Sequence, residues 1–284
     1  MMRTTGRCAV LVAVVLAVLG CNRRVEVPPA ATAPHVSFRD GPDAPPPGCG
    51  RITGRVVWAG KPMTPELIHG LADTPDGAAW SHVPNPYLPK LDDTSGLADV
   101  LVQLAEPPAA IAQHWKHPTL HRVTLDDTRF LADGRPLTRR LIQVNSEIEL
   151  TGTPAFAQIR GRGASFFTRT FPTASTVHTV ALRHPGVVEL SRPNGQFWCL
   201  ADLIVCEHPY VALTDAQGNF DLGSVPPGKY SLNVSLRNWE IAERERDPET
   251  GRIIRLIPAA TITRTVEVAV TANDAARVQI DLRR

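Results

Sequence analysis

Methionine is nearly missing from this chain: beyond Met1 and Met2, its 284 residues hold only Met63. An excess of one charge sign is missing too, with 30 Lys plus Arg against 28 Asp plus Glu. Arg3 and Arg7 lie in a segment expected to be removed, which leaves 28 of each sign. A neutral chain has no electrostatic footprint for nucleic acid, so that partner is not expected. There is no G-x-S-x-G, no H-E-x-x-H, no C-x-x-C and no phosphate loop. The residue patterns of the familiar hydrolases, metalloproteases, thiol oxidoreductases and nucleotide binders are therefore absent. The expectation is a protein that is not an enzyme and carries no cofactor. No apolar run reaches the roughly 20 residues of a membrane-spanning helix, and helix-period stretches are scarce.

What is present is proline (26) and glycine (20) in an otherwise ordinary composition, 43% apolar and 20% charged. That balance argues against global disorder and, with so little helical periodicity, points to strands and turns. The N-terminus has a basic stretch with Arg3 and Arg7, then an apolar run from Cys8 to Leu19 that has the length of a signal sequence. Val18-Leu19-Gly20-Cys21 resembles a bacterial lipobox. The resemblance implies cleavage after residue 20, a diacylglycerol on the Cys21 thiol, and a lipid-anchored, extracytoplasmic protein of the bacterial cell envelope. Ordinary secretion with cleavage nearby, or an uncleaved anchor, are the alternatives. Residues 21–48 hold seven prolines and little apolar pattern, the composition of a semi-extended tether.

Past the signal region the cysteines are Cys49, Cys199 and Cys206 besides Cys21. On a single strand Cys199 and Cys206 would lie about 23 Å apart at ~3.3 Å per residue, too far to pair unless the chain turns between them.

Short strand patterns fill the rest. They include 51–60, 99–104, 141–150, 156–161, 176–182, 186–191 and 197–206, separated by turn residues at the spacing of a sandwich or barrel. Residues 61–98 read as a long loop with one helical turn near 65–71. Residues 208–236 read as strand, Asp215–Gly218 turn, strand, proline turn, strand. Residues 261–270 and 276–282 read as a hairpin, and the mixed-charge run 237–252 as a solvated loop or short helix with Trp239 packed beneath. The fold class expected is all-β.

TDAQGNFDLGSVPPGKYSLNV (214–234), GRITGRVVWAGKPMTPE (50–66) and DVLVQL (99–104) resemble a carboxypeptidase regulatory-like domain, a transthyretin-like sandwich. The block separating them resembles a cupredoxin-like domain through GRPLTRRLIQVNSE (134–147), FWCLADLIV (197–205) and EHPYVALT (207–214). The resemblances imply two Greek-key-type β-sandwiches, one inserted in the other. The boundaries are a signal peptide at 1–20, the tether at 21–48, the regulatory-like sandwich at 49–106 with 207–284, and the cupredoxin-like domain at 107–206.

A blue-copper site needs two histidines, a cysteine thiolate and usually a weak axial methionine. By the cupredoxin resemblance the cysteine position falls on Pro193, the histidine on Gln196 and the methionine on Cys199. The remaining histidine position falls near Pro154, Ala155 or Phe156. All four positions are degenerate, so no metal is expected. A relocated set drawn from Cys199, Cys206, His178, His184 and His208 is the weaker alternative. His208 reads as a buried, hydrogen-bonded histidine fixing the junction of the two domains, and Asp215, Asn219 and Asp221 as turn residues rather than a calcium loop. The resemblance to a peptidase-associated module does not imply peptidase activity. The expected role is non-catalytic, structural or ligand-binding, with a glycan or another envelope protein as partner. The alternative is a copper-binding electron-transfer protein.

Overall fold

The computed structural model describes residues 48–64, 67–74, 77–108, 119–153, 156–193 and 196–284. The expected signal peptide, Cys21 and all but the end of the tether lie outside them, as do Pro154 and Ala155. Every regular element among the described residues is a strand.

In chain order the strands begin with β1 (Gly50–Trp58), β2 (Leu67–Thr74), β3 (Gly77–Pro84), β4 (Leu101–Leu104), β5 (Leu120–Asp126), β6 (Arg129–Ala132) and β7 (Arg135–Pro136). There follow β8 (Arg139–Gln143), β9 (Glu147–Gly152), β10 (Ala157–Gly163), β11 (Phe167–Phe171), β12 (Val177–Ala181), β13 (Gly186–Ser191) and β14 (Leu200–Cys206). The last are β15 (Val211–Leu213), β16 (Asn219–Val225), β17 (Gly228–Leu236), β18 (Ile241–Arg246), β19 (Ile253–Pro258), β20 (Ile262–Val270) and β21 (Ala275–Leu282).

Two sheets, ordered β15-β4-β17-β20 and β16-β1-β21, enclose one apolar core. Ile52, Val56, Phe220, Leu222 and Ile280 meet Val102, Leu104, Leu232 and Val234 there. Two further sheets, β11-β10-β13-β14-β8 and β12-β9-β5-β6-β7, enclose a second core of residues from Val123 to Val205. In the first sandwich Gly54 is needed for packing. A Cβ there would lie 2.6 Å from Phe220 Cζ and 2.2 Å from the Val278 carbonyl oxygen.

β14 explains how the sandwiches meet. A strand covered on both faces reads as a nearly continuous apolar run, and LADLIVC is one. Leu203 and Val205 enter the second core. Ile204 and Cys206 face the other way, where with Leu141 they pack on Leu101 and Val211 of the first sandwich. A third cluster gathers Ile68, Tyr87, Phe197, Ile253 and Leu256, with Trp239 packed against it.

Several local expectations are corrected. Residues 61–98 contain the β2–β3 ladder, Leu67↔Pro84 to Thr74↔Gly77, rather than a loop with a helical turn. Residues 237–252 are not a solvated loop or helix: β18 pairs with β19 around a turn in which Asp247 Oδ1 accepts the Thr250 amide at 2.8 Å. The stretch 141–150 is two strands in different sheets, broken at Asn145, whose φ is +67°. The strand expected at 197–206 starts at Leu200, after a turn closed by the Cys199 amide donating to the Gln196 carbonyl at 2.9 Å. β20 and β21 form no hairpin. β20 pairs with β17, while β21 lies parallel to β1 in the opposite sheet, so the connection arches across the core. The turns at 214–218 and 226–227 likewise carry the chain from sheet to sheet. A turn motif fixes a reversal; which faces need covering decides whether the strands pair or stack.

Candidate functional site

The sandwiches are joined by ionic contacts as well as apolar ones. Glu189 on β13 and Asp202 on β14 stand directly opposite each other, 6% and 3% exposed. Like charges opposed on one sheet face repel, and Arg237 separates them. Just beyond β17, its Nη1 donates to Asp202 Oδ1 at 2.6 Å and its Nη2 to Glu189 Oε2. Arg255 Nε donates to Glu189 Oε1 at 3.4 Å, and Arg139 Nε lies 3.6 Å from Asp202 Oδ2. The Arg237 guanidinium carbon stands 4.1 Å from the Tyr87 ring centroid, and the Tyr87 hydroxyl donates to the Leu256 carbonyl at 2.9 Å.

Burial pushes the Asp202 carboxyl above the usual carboxylate range, against the pull of Arg237 and Arg139. Burial likewise lowers Arg139 against Asp202, whereas Arg237 ends raised because Asp202, Tyr87 and Glu189 together outweigh its own desolvation. Committed to one another in this way, the charges fix geometry.

A cleft of about 500 Å³ is lined by Trp58, Lys61, Met63, Thr64, Asn85, Trp239, Glu240 and Arg284. Trp58 and Trp239 meet edge to face, centroids 5.2 Å apart at 81°. The Trp58 indole donates to the Lys61 carbonyl at 2.7 Å, and Asn85 Nδ2 to the Trp239 carbonyl at 2.6 Å. Arg284 pairs with Glu240 at the rim. Half-buried indole beside amide, hydroxyl and charged groups is the chemistry of a site for a ligand with apolar faces and polar edges.

Of the residues expected at degenerate copper positions, Pro193 has no donor atom for a metal. The Gln196 amide oxygen accepts from Arg192 Nη1 at 2.7 Å, and Arg192 also donates to the Asp127 carbonyl. The Cys199 thiol is buried in the second core and pushed up to about 12 by desolvation. These residues do not fit a type 1 copper centre. Phe156, beside the fourth position, is exposed with φ +58°.

The relocated set is dispersed. Cys206 is in the junction cluster, its thiol also raised to about 12 by burial. His178 Nε2 contacts the Thr170 carbonyl at 2.9 Å, and His184 is exposed. His208 is at the junction, but its buried Nδ1 has no hydrogen-bond partner among the described residues, and burial lowers its pKa. Asp215 Oδ1 accepts the amides of Gln217 and Asn219 at 2.9 and 2.7 Å, while Asp221 pairs with Arg51. Among the described residues no group of three or more His, Cys, Asp or Glu is placed to hold a metal ion. Cys49, Cys199 and Cys206 are free thiols.

Reading the sequence missed Arg237 and both of its carboxylate partners. The available signal was Asp202, the single charge inside the apolar run LADLIVC.

No family model and no curated protein matches the chain. Among solved structures, a cryo-EM structure of a heme-copper terminal oxidase dimer is similar over 31% of this chain, at 16% identity and a TM-score of 0.27. The match spans 65% of that structure's chain, just under two thirds of its length.

Proposed function

We propose that this chain is a non-catalytic, lipid-anchored protein of the bacterial cell envelope that binds a glycan in the Trp58–Trp239 cleft. In this reading residues 49–106 and 207–284 form a carboxypeptidase regulatory-like sandwich, and residues 107–206 form a cupredoxin-like sandwich inserted in it. The inserted domain serves as a rigid neighbour. The observation that carries the reading is the cleft itself. A sugar ring presents an apolar face to an indole and hydroxyls to the groups around it. Lys61, Thr64 and Glu240 supply donors and acceptors beside Trp58 and Trp239. Two separate apolar cores support the nested arrangement. The choice of glycan also follows the occurrence of related sandwiches as carbohydrate-binding folds, an analogy of fold.

The test has two arms. Cys21→Ser is expected to move the protein out of the membrane fraction, and unchanged detergent partitioning contradicts the anchor. A panel of neutral and N-acetylated oligosaccharides is expected to contain members that change tryptophan emission saturably. A panel without effect contradicts the glycan reading.

A further inference from the structure

The charges at the junction form a line, Arg139–Asp202–Arg237–Glu189–Arg255, of three cations and two carboxylates. Each carboxylate is shared between two arginines. Arg139, at one end, has the weaker share. Its Nη1 donates to the Asp99 carbonyl, but its Nε, 3.6 Å from Asp202, has no hydrogen-bond partner among the described residues. Its side chain is only 12% exposed. A guanidinium withdrawn from water to that degree costs several kcal/mol unless charge and hydrogen bonds compensate it.

A cavity of about 100 Å³ opens beside Arg139. Its wall carries Lys90, Arg139 and Arg237 against Asp99 and Asp202, with Thr138 and Tyr87. Asp202 is already shared, and Asp99 accepts the Thr138 hydroxyl at 3.5 Å. With Glu189 and Arg255 at the other end of the line included, the four cations outnumber the three carboxylates by one. Lys90 is exposed, so one of the cations stands where a ligand can arrive from solvent.

We propose that this cavity binds a small oxyanion, which completes the charge balance of Arg139 and is held from the solvent side by Lys90. The volume equals about three waters at liquid density, room for one carboxylate or phosphate group. Guanidinium and ammonium together grip such a group by charge-assisted hydrogen bonds. The bound group ties the Tyr87–Lys90 segment to β8, β14 and the end of β17. The site is separate from the tryptophan cleft and does not depend on the glycan reading.

The same chemistry is offered by free phosphate and by the carboxylate of a sugar acid, and the experiment separates them. Thermal unfolding of the full chain in detergent is followed at fixed ionic strength while sodium chloride is replaced by inorganic phosphate or by D-glucuronate. A ligand that binds the folded state raises Tm saturably with its concentration. At least one of the two is expected to do so. Response to phosphate alone assigns the tetrahedral anion, to glucuronate alone the sugar acid, and to both the shared oxyanion chemistry. Lys90→Glu, at an exposed position, is expected to weaken the response roughly tenfold or more. Arg139→Gln is expected to abolish it, and if that variant does not fold, Lys90→Glu decides. Neither anion exceeding chloride, or an undiminished response in Lys90→Glu, overturns the proposal.

Discussion

Glu189 and Asp202 face each other across the β13–β14 ladder, and the single guanidinium of Arg237 bonds to both. The two carboxylates belong to the second sandwich and the arginine to the end of a strand of the first. One side chain therefore balances a buried like-charge pair and fastens two cores together.

Arg237→Met removes that cation and leaves two buried carboxylates with Arg139 and Arg255 alone. Breaking a buried ion pair from one side costs about 3–5 kcal/mol, and a loss of that size is expected in denaturant unfolding. Adding Glu189→Gln and Asp202→Asn to Arg237→Met should recover much of it. A loss below about 1 kcal/mol, the range of exposed pairs, contradicts the role given to Arg237.

His121 supplies a pH dependence. Burial, then the nearby Arg140, lowers its pKa from 6.5 to about 4, with Asp133 opposing. Above pH 6.5 the ring is neutral in both folded and unfolded chains, and its contribution is fully present. As pH falls from 6.5 towards 4 the unfolded chain takes up a proton that the folded chain resists, so stability is lost. Denaturant midpoints measured across this window should fall more steeply for the wild type than for His121→Gln. Equal slopes refute the assignment.

At Gly54 an added methyl collides with Phe220 and with the Val278 carbonyl. Gly54→Ala is expected to cost about 1–3 kcal/mol, the range for overpacked cores. Thermal unfolding measures it, and a neutral substitution would show that the first core is looser than described.

Thiol accessibility separates the three described cysteines. Cys199 and Cys206 are buried with thiols pushed up to about 12, whereas Cys49 is half-buried. Of these three, a thiol-specific chromogenic reagent should label only Cys49 in the native protein, and Cys199 and Cys206 only in denaturant. Fast native labelling of Cys199 contradicts its place in the second core.

The strand content was legible because turn residues and period-2 patterns carry it locally. Leu232, Val234 and Leu236 alternate inward as their spacing requires. The partners of those strands were not legible. The Asp215–Gly218 turn has the same local chemistry whether β15 and β16 pair or stack, and the distant β4 and β1 decide between the two. In β18 the charges Glu243, Arg244, Glu245 and Arg246 hid a strand whose apolar cover comes largely from Ile253 and Leu256 of its partner. The tryptophan cleft joins Trp58 to Trp239 across 181 positions, a distance no local pattern bridges.

Calorimetric titration of the strongest-binding oligosaccharide into the wild type and into Trp239→Ala decides whether the tryptophan cleft is the glycan site. Lys61→Ala runs in parallel, since Lys61 is exposed and its loss leaves the cores untouched. Loss of a stacking aromatic is worth about 0.5–1.5 kcal/mol beyond its buried area, so Trp239→Ala is expected to weaken binding roughly tenfold or more. Lys61→Ala is expected to weaken it by a smaller factor. Binding of unchanged affinity in both variants would place the ligand elsewhere and contradict the account.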